Sequence, residues 1–261
     1  MVSGKSSKAV RNARAAVVTQ KSTPWGLIAA IMAVVLFAGG VFGYAFLQSQ
    51  ASQSRADALA PFTPTAEKQD PSTTIEGVTV IPFEGGQHVQ PAQTVAYTTS
   101  PPMGGTHDGS WAACNGVVYP EPVRSENLVH SLEHGAVWIA YNPDQVTGDA
   151  LQVLRDKVQD KPYSVMSPFP GLDQPISLQS WGHQLKVADA ADVRIDQFVQ
   201  ALRRNQYTHP EVGASCLATP QFNQDSPPPF AAPPAESAVD NITVLPEVVA
   251  GAAGVAPDAG S

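Results

Sequence analysis

The chain has 261 residues, with 15 basic and 23 acidic side chains and a formal net charge of −8. Residues 1–23 hold five of the basic side chains and no acid, so the remainder sets ten basic against 23 acidic groups. That surplus excludes nucleic acid as a partner, because affinity for it comes mainly from neutralising phosphates with Lys and Arg.

Lys5, Lys8, Arg11, Arg14 and Lys21 make residues 1–24 a basic tail, expected in the cytoplasm by the positive-inside rule. Residues 25–47 (WGLIAAIMAVVLFAGGVFGYAFL) carry no charge. As a helix they span roughly 34 Å, enough to cross a lipid bilayer once. Trp25 and Tyr44 sit where aromatic rings prefer the headgroup level. A cleaved signal peptide is the competing reading, but its apolar stretch would be shorter than this one. Gly39 and Gly43 form a G-x-x-x-G pair, a spacing that permits close helix approach but is also ordinary in such helices. The expected localisation is therefore the cell membrane, single-pass, with everything after residue 47 extracytoplasmic.

Residues 48–72 are polar, contain three prolines and read as a stalk, helical near the membrane and extended later. Residues 73–218 are the expected folded domain. Within it, Thr79–Phe83 and Thr94–Tyr97 have strand character, and Gly135–Tyr141 (GAVWIAY) is the clearest strand, a continuous apolar run. The spacing of Leu151, Leu154 and Val158 predicts a helix after Thr147. Tyr163–Met166 returns to strand, and Ile176–Val187 reads as a hairpin. A second helix is expected over Asp192–Asn205, with Asp at its start and Arg203-Arg204 at its end complementing the dipole. Strands and helices are mixed, so the fold class is α+β: one transmembrane helix, a small mixed domain and a disordered tail. That tail, residues 219–261, is rich in Pro, Ala and Gly and lacks the apolar surface needed to offset chain entropy.

Cys114 and Cys216 are the only cysteines. In an oxidising compartment two such residues most often pair, with thiolate metal ligation as the rival reading. Among the histidines, His107 closes the loop Pro101–His107, and His130 and His134 bracket Glu133 in H-S-L-E-H. On one helical turn His130 and His134 project on the same side, a spacing suited to zinc or copper with His107 as a third ligand. Glu133 would then ligate or act as base on a metal-bound water, as in H-x-x-E-H hydrolases. Gly135 stops any longer helix directly after this segment, which weakens the hydrolase reading. Imidazoles and carboxylates also stitch loops together by hydrogen bonds without any metal, and that reading stays open. Met103 and Met166 are soft donors that would favour copper, but nothing in the sequence places them near the histidines. Trp111, Tyr119 and Trp138 read as packing residues, and His183 and His209 as isolated ones. No phosphate-binding G-x-x-x-x-G-K-[ST], G-x-S-x-G or C-x-x-C motif occurs.

The succession Pro101-Pro102, Gly105-Thr106-His107, Trp111, Gly116, Tyr119-Pro120, Glu126 and His130-Ser131-Leu132-Glu133-His134-Gly135 resembles the domain-of-unknown-function family 3105. That family shows a P-P-x-S-G-x-H loop, then H-x-L-E-H-G and a strand. Ser167-Pro168 and Trp181-Gly182 are similar to its later segments, and the likeness covers about residues 85–211. It implies a bacterial membrane-anchored or secreted domain in which His107, His130, Glu133 and His134 match motif positions. Met103-Gly104-Gly105 departs from the usual polar turn. The function expected first is an accessory or binding protein of the cell envelope whose His/Glu cluster binds a transition metal. A metal-dependent hydrolase and a structural subunit held by membrane protein partners are the alternatives.

Overall fold

A computed structural model describes residues 24–91 and 93–231. The basic tail over residues 1–23 and the part of the expected tail from 232 onward, with the short apolar patch Ile242–Leu245, lie outside the described residues. The chain divides into two compact units, residues 1–56 and 57–261.

In the first unit, helix α1 (Trp25–Leu59) runs well past the apolar span through Gln48 into polar sequence. None of its residues is buried. It is the one helix among the described residues long and apolar enough to cross a membrane, with a mean hydropathy of 2.3 in its best window. An anchor and a signal sequence both meet that test.

The second unit begins earlier than residue 73. Short 3-10 turns at Ala60–Phe62 and Pro71–Thr74 lie against the last helix, so the second half of the expected stalk is packed rather than extended. Gln200 Nε2 donates to Thr63 Oγ1 at 3.0 Å, and Asn205 Nδ2 donates to the Gln69 carbonyl at 2.8 Å.

Asp70 caps the second turn. Its Oδ1 accepts the Ser72 N–H at 3.0 Å, and its Oδ2 lies 3.0 Å from His183 Nε2. Burial pushes the Asp70 carboxyl up, but the bonds from His183 and Ser72 outweigh it and hold the group below its ordinary value. A depressed carboxylate stabilises the fold above its unfolded pKa, and that contribution disappears as pH falls through the folded value. Asp70→Ala should therefore cost about 1 kcal/mol at neutral pH, and denaturant titrations should show the gap to wild type closing in strong acid.

The domain strands are β1 (Val78–Val80), β2 (His88–Val89), β3 (His107–Asp108), β4 (Asn115–Val118), β5 (Val137–Tyr141), β6 (Ser164–Pro168), β7 (Ile176–Ser180) and β8 (His183–Val187). Its helices are α2 (Ser125–Glu133), α3 (Gly148–Val158) and α4 (Val193–Leu202). Six strands form one sheet in the order β1-β8-β7-β5-β6-β4, with β5, β6 and β4 mutually parallel and the rest antiparallel. The α+β class holds. α3 makes the crossover that neighbouring parallel strands β5 and β6 require.

Alternation along β5 divides the core. Val137, Ile139 and Tyr141 join Leu154 and Val158 of α3 and Ile195, Phe198 and Leu202 of α4 on one face. Trp138 and Ala140 face Leu128, Val129 and Leu132 of α2 on the other. The second face also receives Phe222, and Phe230 stacks edge-on against Phe169 at 5.1 Å. Packed chain thus continues past the expected boundary at 218.

One expected strand is absent. Thr94–Tyr97 is irregular because the Val95 N–H is taken by Glu126 Oε1 at 2.8 Å instead of a neighbouring strand. β4, with a Gly at its second position, gave no periodic signal in the sequence.

Candidate metal site

α2 is the platform of the site, and every residue in it is buried. Its apolar side, Leu128, Val129 and Leu132, faces the sheet. The helix stops at Gly135, which has φ +90°. The Gly135 N–H donates to the Leu132 carbonyl at 2.9 Å and the Ala136 N–H to the Ser131 carbonyl at 3.1 Å, a Schellman closure that suits glycine. A Cβ at Gly135 would also lie 2.6 Å from His209 Nε2. This stop turns the chain directly from Glu133-His134 into buried β5.

The loop before β3 brings in His107. Met103 is fully buried, a Cβ on Gly104 would strike the Phe83 ring at 2.4 Å, and Gly105 has φ +95°. The Met-Gly-Gly departure is thus a packing requirement of this loop. The Gly105 carbonyl lies 2.8 Å from His107 Nδ1. Parallel pairing of β2 with β3 sets His88 opposite His107.

Four side chains converge. His88, His107, His130 and Glu133 each place one ligand atom within 4.8 Å of the others. The ring centroids of His107 and His130 are 4.7 Å apart, those of His88 and His107 4.9 Å. The His107 and Glu133 side chains have no exposed surface, whereas His88 is exposed. Trp181 meets the His107 ring edge-on at 5.8 Å, and Trp111 packs on His130 at 5.3 Å.

Proton placement follows from the outer partners. His107 Nδ1 faces the Gly105 carbonyl, His130 Nδ1 the Asp108 carbonyl at 2.6 Å, and His134 Nδ1 the Ser215 carbonyl at 2.7 Å. A carbonyl only accepts, so each Nδ1 carries the proton and each neutral ring keeps a bare Nε2, the tautomer of a metal-ligating histidine. Burial, then the neighbouring charge of His107, holds His130 down to about 4, so it is neutral at pH 7.

Glu133 Oε1 accepts the Gly86 N–H at 2.6 Å. Its Oε2 lies 2.7 Å from His107 Nε2, yet the two atoms are not aligned for an N–H···O bond and neither has another partner. Burial raises the Glu133 carboxyl, but close His107 and the Gly86 N–H outweigh it and keep the carboxylate ionised. With Nδ1 holding the proton of a neutral His107, its Nε2 and a carboxylate oxygen this close in a buried site repel, and either a second ring proton or a metal ion at the pair relieves that repulsion.

His134 belongs elsewhere. Its Nε2 lies 3.0 Å from Glu211 Oε2, and His130, His134 and Glu211 form a second group with ligand atoms within 4.8 Å. Burial lowers the His134 pKa, against the opposing pull of the Ser215 carbonyl and Glu211. Of the residues picked out from the sequence, His107, His130 and Glu133 thus come together, and His134 adjoins them through His130. Met103 and Met166 are fully buried in separate core clusters and take no part. His209 donates toward the Glu133 carbonyl at 3.1 Å, and His183 pairs with Asp70. Sequence reasoning missed His88 and Glu211. His88 follows the Gly85-Gly86 turn that holds Glu133, a hint that this loop closes over the helix.

Cys114 and Cys216 form a disulfide with an S–S distance of 2.00 Å. It fixes the segment that carries Glu211 and Ser215 beside α2.

Residues 88–218 match a family model described as a protein of unknown function (DUF3105). The match starts at His88 and takes in Glu211, so all six residues of the two groups fall inside it. No curated protein and no solved structure matches the chain.

Proposed function

We propose that this chain, which belongs to the DUF3105 family, is an envelope protein which binds a divalent transition metal outside the cytoplasm. Residues 25–47 would hold it in the bilayer, with the basic residues 1–23 on the cytoplasmic side. The observation that carries the reading is the buried, misaligned approach of His107 Nε2 and Glu133 Oε2, with the remaining polar atoms of both side chains already bonded to backbone. Three imidazoles and a carboxylate suit zinc or copper in the divalent state, and the absence of a thioether from the cluster disfavours monovalent copper.

A binding or accessory role fits this centre better than hydrolysis. Four protein donors complete a tetrahedral site, whereas a catalytic site keeps a position open for water. Glu133, fully buried and bonded through Oε1, stands as a ligand rather than as a base beside a substrate cleft.

Elemental mass spectrometry on the full chain purified in detergent tests the proposal. The expected result is about one equivalent of zinc or copper, held at least about tenfold more weakly in His107→Ala and in Glu133→Gln and so removed from them by dialysis that spares wild type. Metal-free protein after reconstitution, with both variants folded and merely less stable, would return the cluster to a hydrogen-bonded scaffold. The role would then lie in contacts with membrane protein partners.

A further inference from the structure

We infer that His130, His134 and Glu211 form a second, open metal position that shares His130 with the buried centre and serves as its exchange port. The inference rests on the metal-binding reading above and concerns what the ion does next.

His130 stands in both ligand groups. Its Nδ1 is committed to the Asp108 carbonyl, so it offers one lone pair, on Nε2. One lone pair binds one ion, so the two groups cannot both be filled with His130 as a ligand. Occupation alternates instead, and His130 is the ligand that stays with the ion as it moves.

The two positions differ in kind. The inner one has four protein donors and a fully buried His107–Glu133 pair. The outer one has three, and the Glu211 side chain is 44% exposed. Three protein ligands leave a coordination position for water or an incoming donor, the property that separates reactive or exchanging sites from closed ones. A cavity of about 180 Å³ lies beside His134, one of the three donors, and is bounded by Arg204, Gln206 and His209. The His134 ring is set by the Ser215 carbonyl and by Trp111 at 4.6 Å, so this outer donor is held in place without the metal.

Cobalt(II) titration of the metal-free full chain in detergent, followed by visible absorption, tests the second position. Wild type should take up one ion per chain. Glu133→Gln, which lames the inner centre, should still bind one ion, at least about tenfold more weakly and with an altered spectrum. Adding Glu211→Ala to that background should abolish binding. His107→Gln serves as an independent inner lesion, and thermal melts establish that each variant is folded. Port function is read from the rate at which a chelator strips the ion, which should fall about tenfold in Glu211→Ala relative to wild type.

Folded inner-site variants that bind no cobalt would overturn the second position while leaving the first intact. Two ions per wild-type chain would overturn the sharing of His130. Equal stripping rates in wild type and Glu211→Ala would place exchange at exposed His88 and overturn the port. Wild type that binds no metal at all would remove this inference together with the reading beneath it.

Discussion

Arg124→Met should lower the unfolding free energy by about 3–5 kcal/mol, the largest loss expected from any single side chain outside the core. The Arg124 side chain is 9% exposed and lies between two carboxylates, pairing with Asp108 Oδ2 through Nη1 and with Glu126 Oε2 through Nε at 3.3 Å. It also donates to the Gln93 carbonyl. The two carboxylates are themselves 3% exposed, so removing the guanidinium strands both in a poorly solvated pocket. A pair of this kind adds little over a well-packed apolar replacement of all its members, but breaking it from one side is costly. The triple variant Arg124→Met, Asp108→Asn, Glu126→Gln should therefore recover part of the loss. The consequence reaches the His/Glu cluster, because the Asp108 carbonyl orients His130 and Glu126 ties down Val95. Denaturant midpoints followed by tryptophan fluorescence give the measurement. A loss below about 1 kcal/mol would mean that water reaches the trio and that it behaves as a surface pair.

The parts of this molecule that could be read from its sequence are those where one physical pattern dominates a long enough stretch. Gly135–Tyr141 is a continuous apolar run because β5 is central and buried on both faces. The leucine spacing of α3 and the alternating pattern of the β7–β8 hairpin report a single core, on the face they share with Ile139. Spacing also placed His130 and His134 on one side of a helical turn; His134 caps the C-terminal end of α2, and the two ring centroids lie 4.7 Å apart. It did not separate His134 from the group around His107 and Glu133, because that depends on which distant segment approaches each ring. His88 sits on a two-residue strand, too short for any periodicity, and reaches His107 only through parallel pairing. Glu211 lies in irregular chain and is delivered by a disulfide between residues 102 apart. The strand expected at Thr94–Tyr97 failed for a related reason: its β-branched character was outweighed by a buried carboxylate that claims the Val95 N–H.

That disulfide carries the second large effect. Replacing Cys114 and Cys216 with serine, or reducing the bridge, should cost about 2–5 kcal/mol of stability, since closing a loop of roughly 100 residues removes much of the unfolded chain's freedom. Cys114 is fully buried and Cys216 is 5% exposed, so the serine hydroxyls would also sit in apolar surroundings, among Tyr119, Ala136 and Phe222. Other bonds hold the same segment. The Cys114 N–H donates to the Cys216 carbonyl at 2.9 Å, Trp111 Nε1 to the Leu217 carbonyl at 2.7 Å, and Tyr163 Oη to the Ala214 carbonyl at 2.7 Å. Each is worth only about 1 kcal/mol net, so together they position the segment without replacing the loop constraint. Unfolding of the full chain in denaturant, with and without reductant, separates the two contributions. A fall within the expected range, shared by the reduced wild type and the double-serine variant, would mean that the bridge acts through chain entropy. A fall below about 1 kcal/mol would mean that hydrogen bonds and Trp111 packing hold Glu211 beside His134 on their own. The second metal position would then keep its geometry in a reducing compartment as well as an oxidising one.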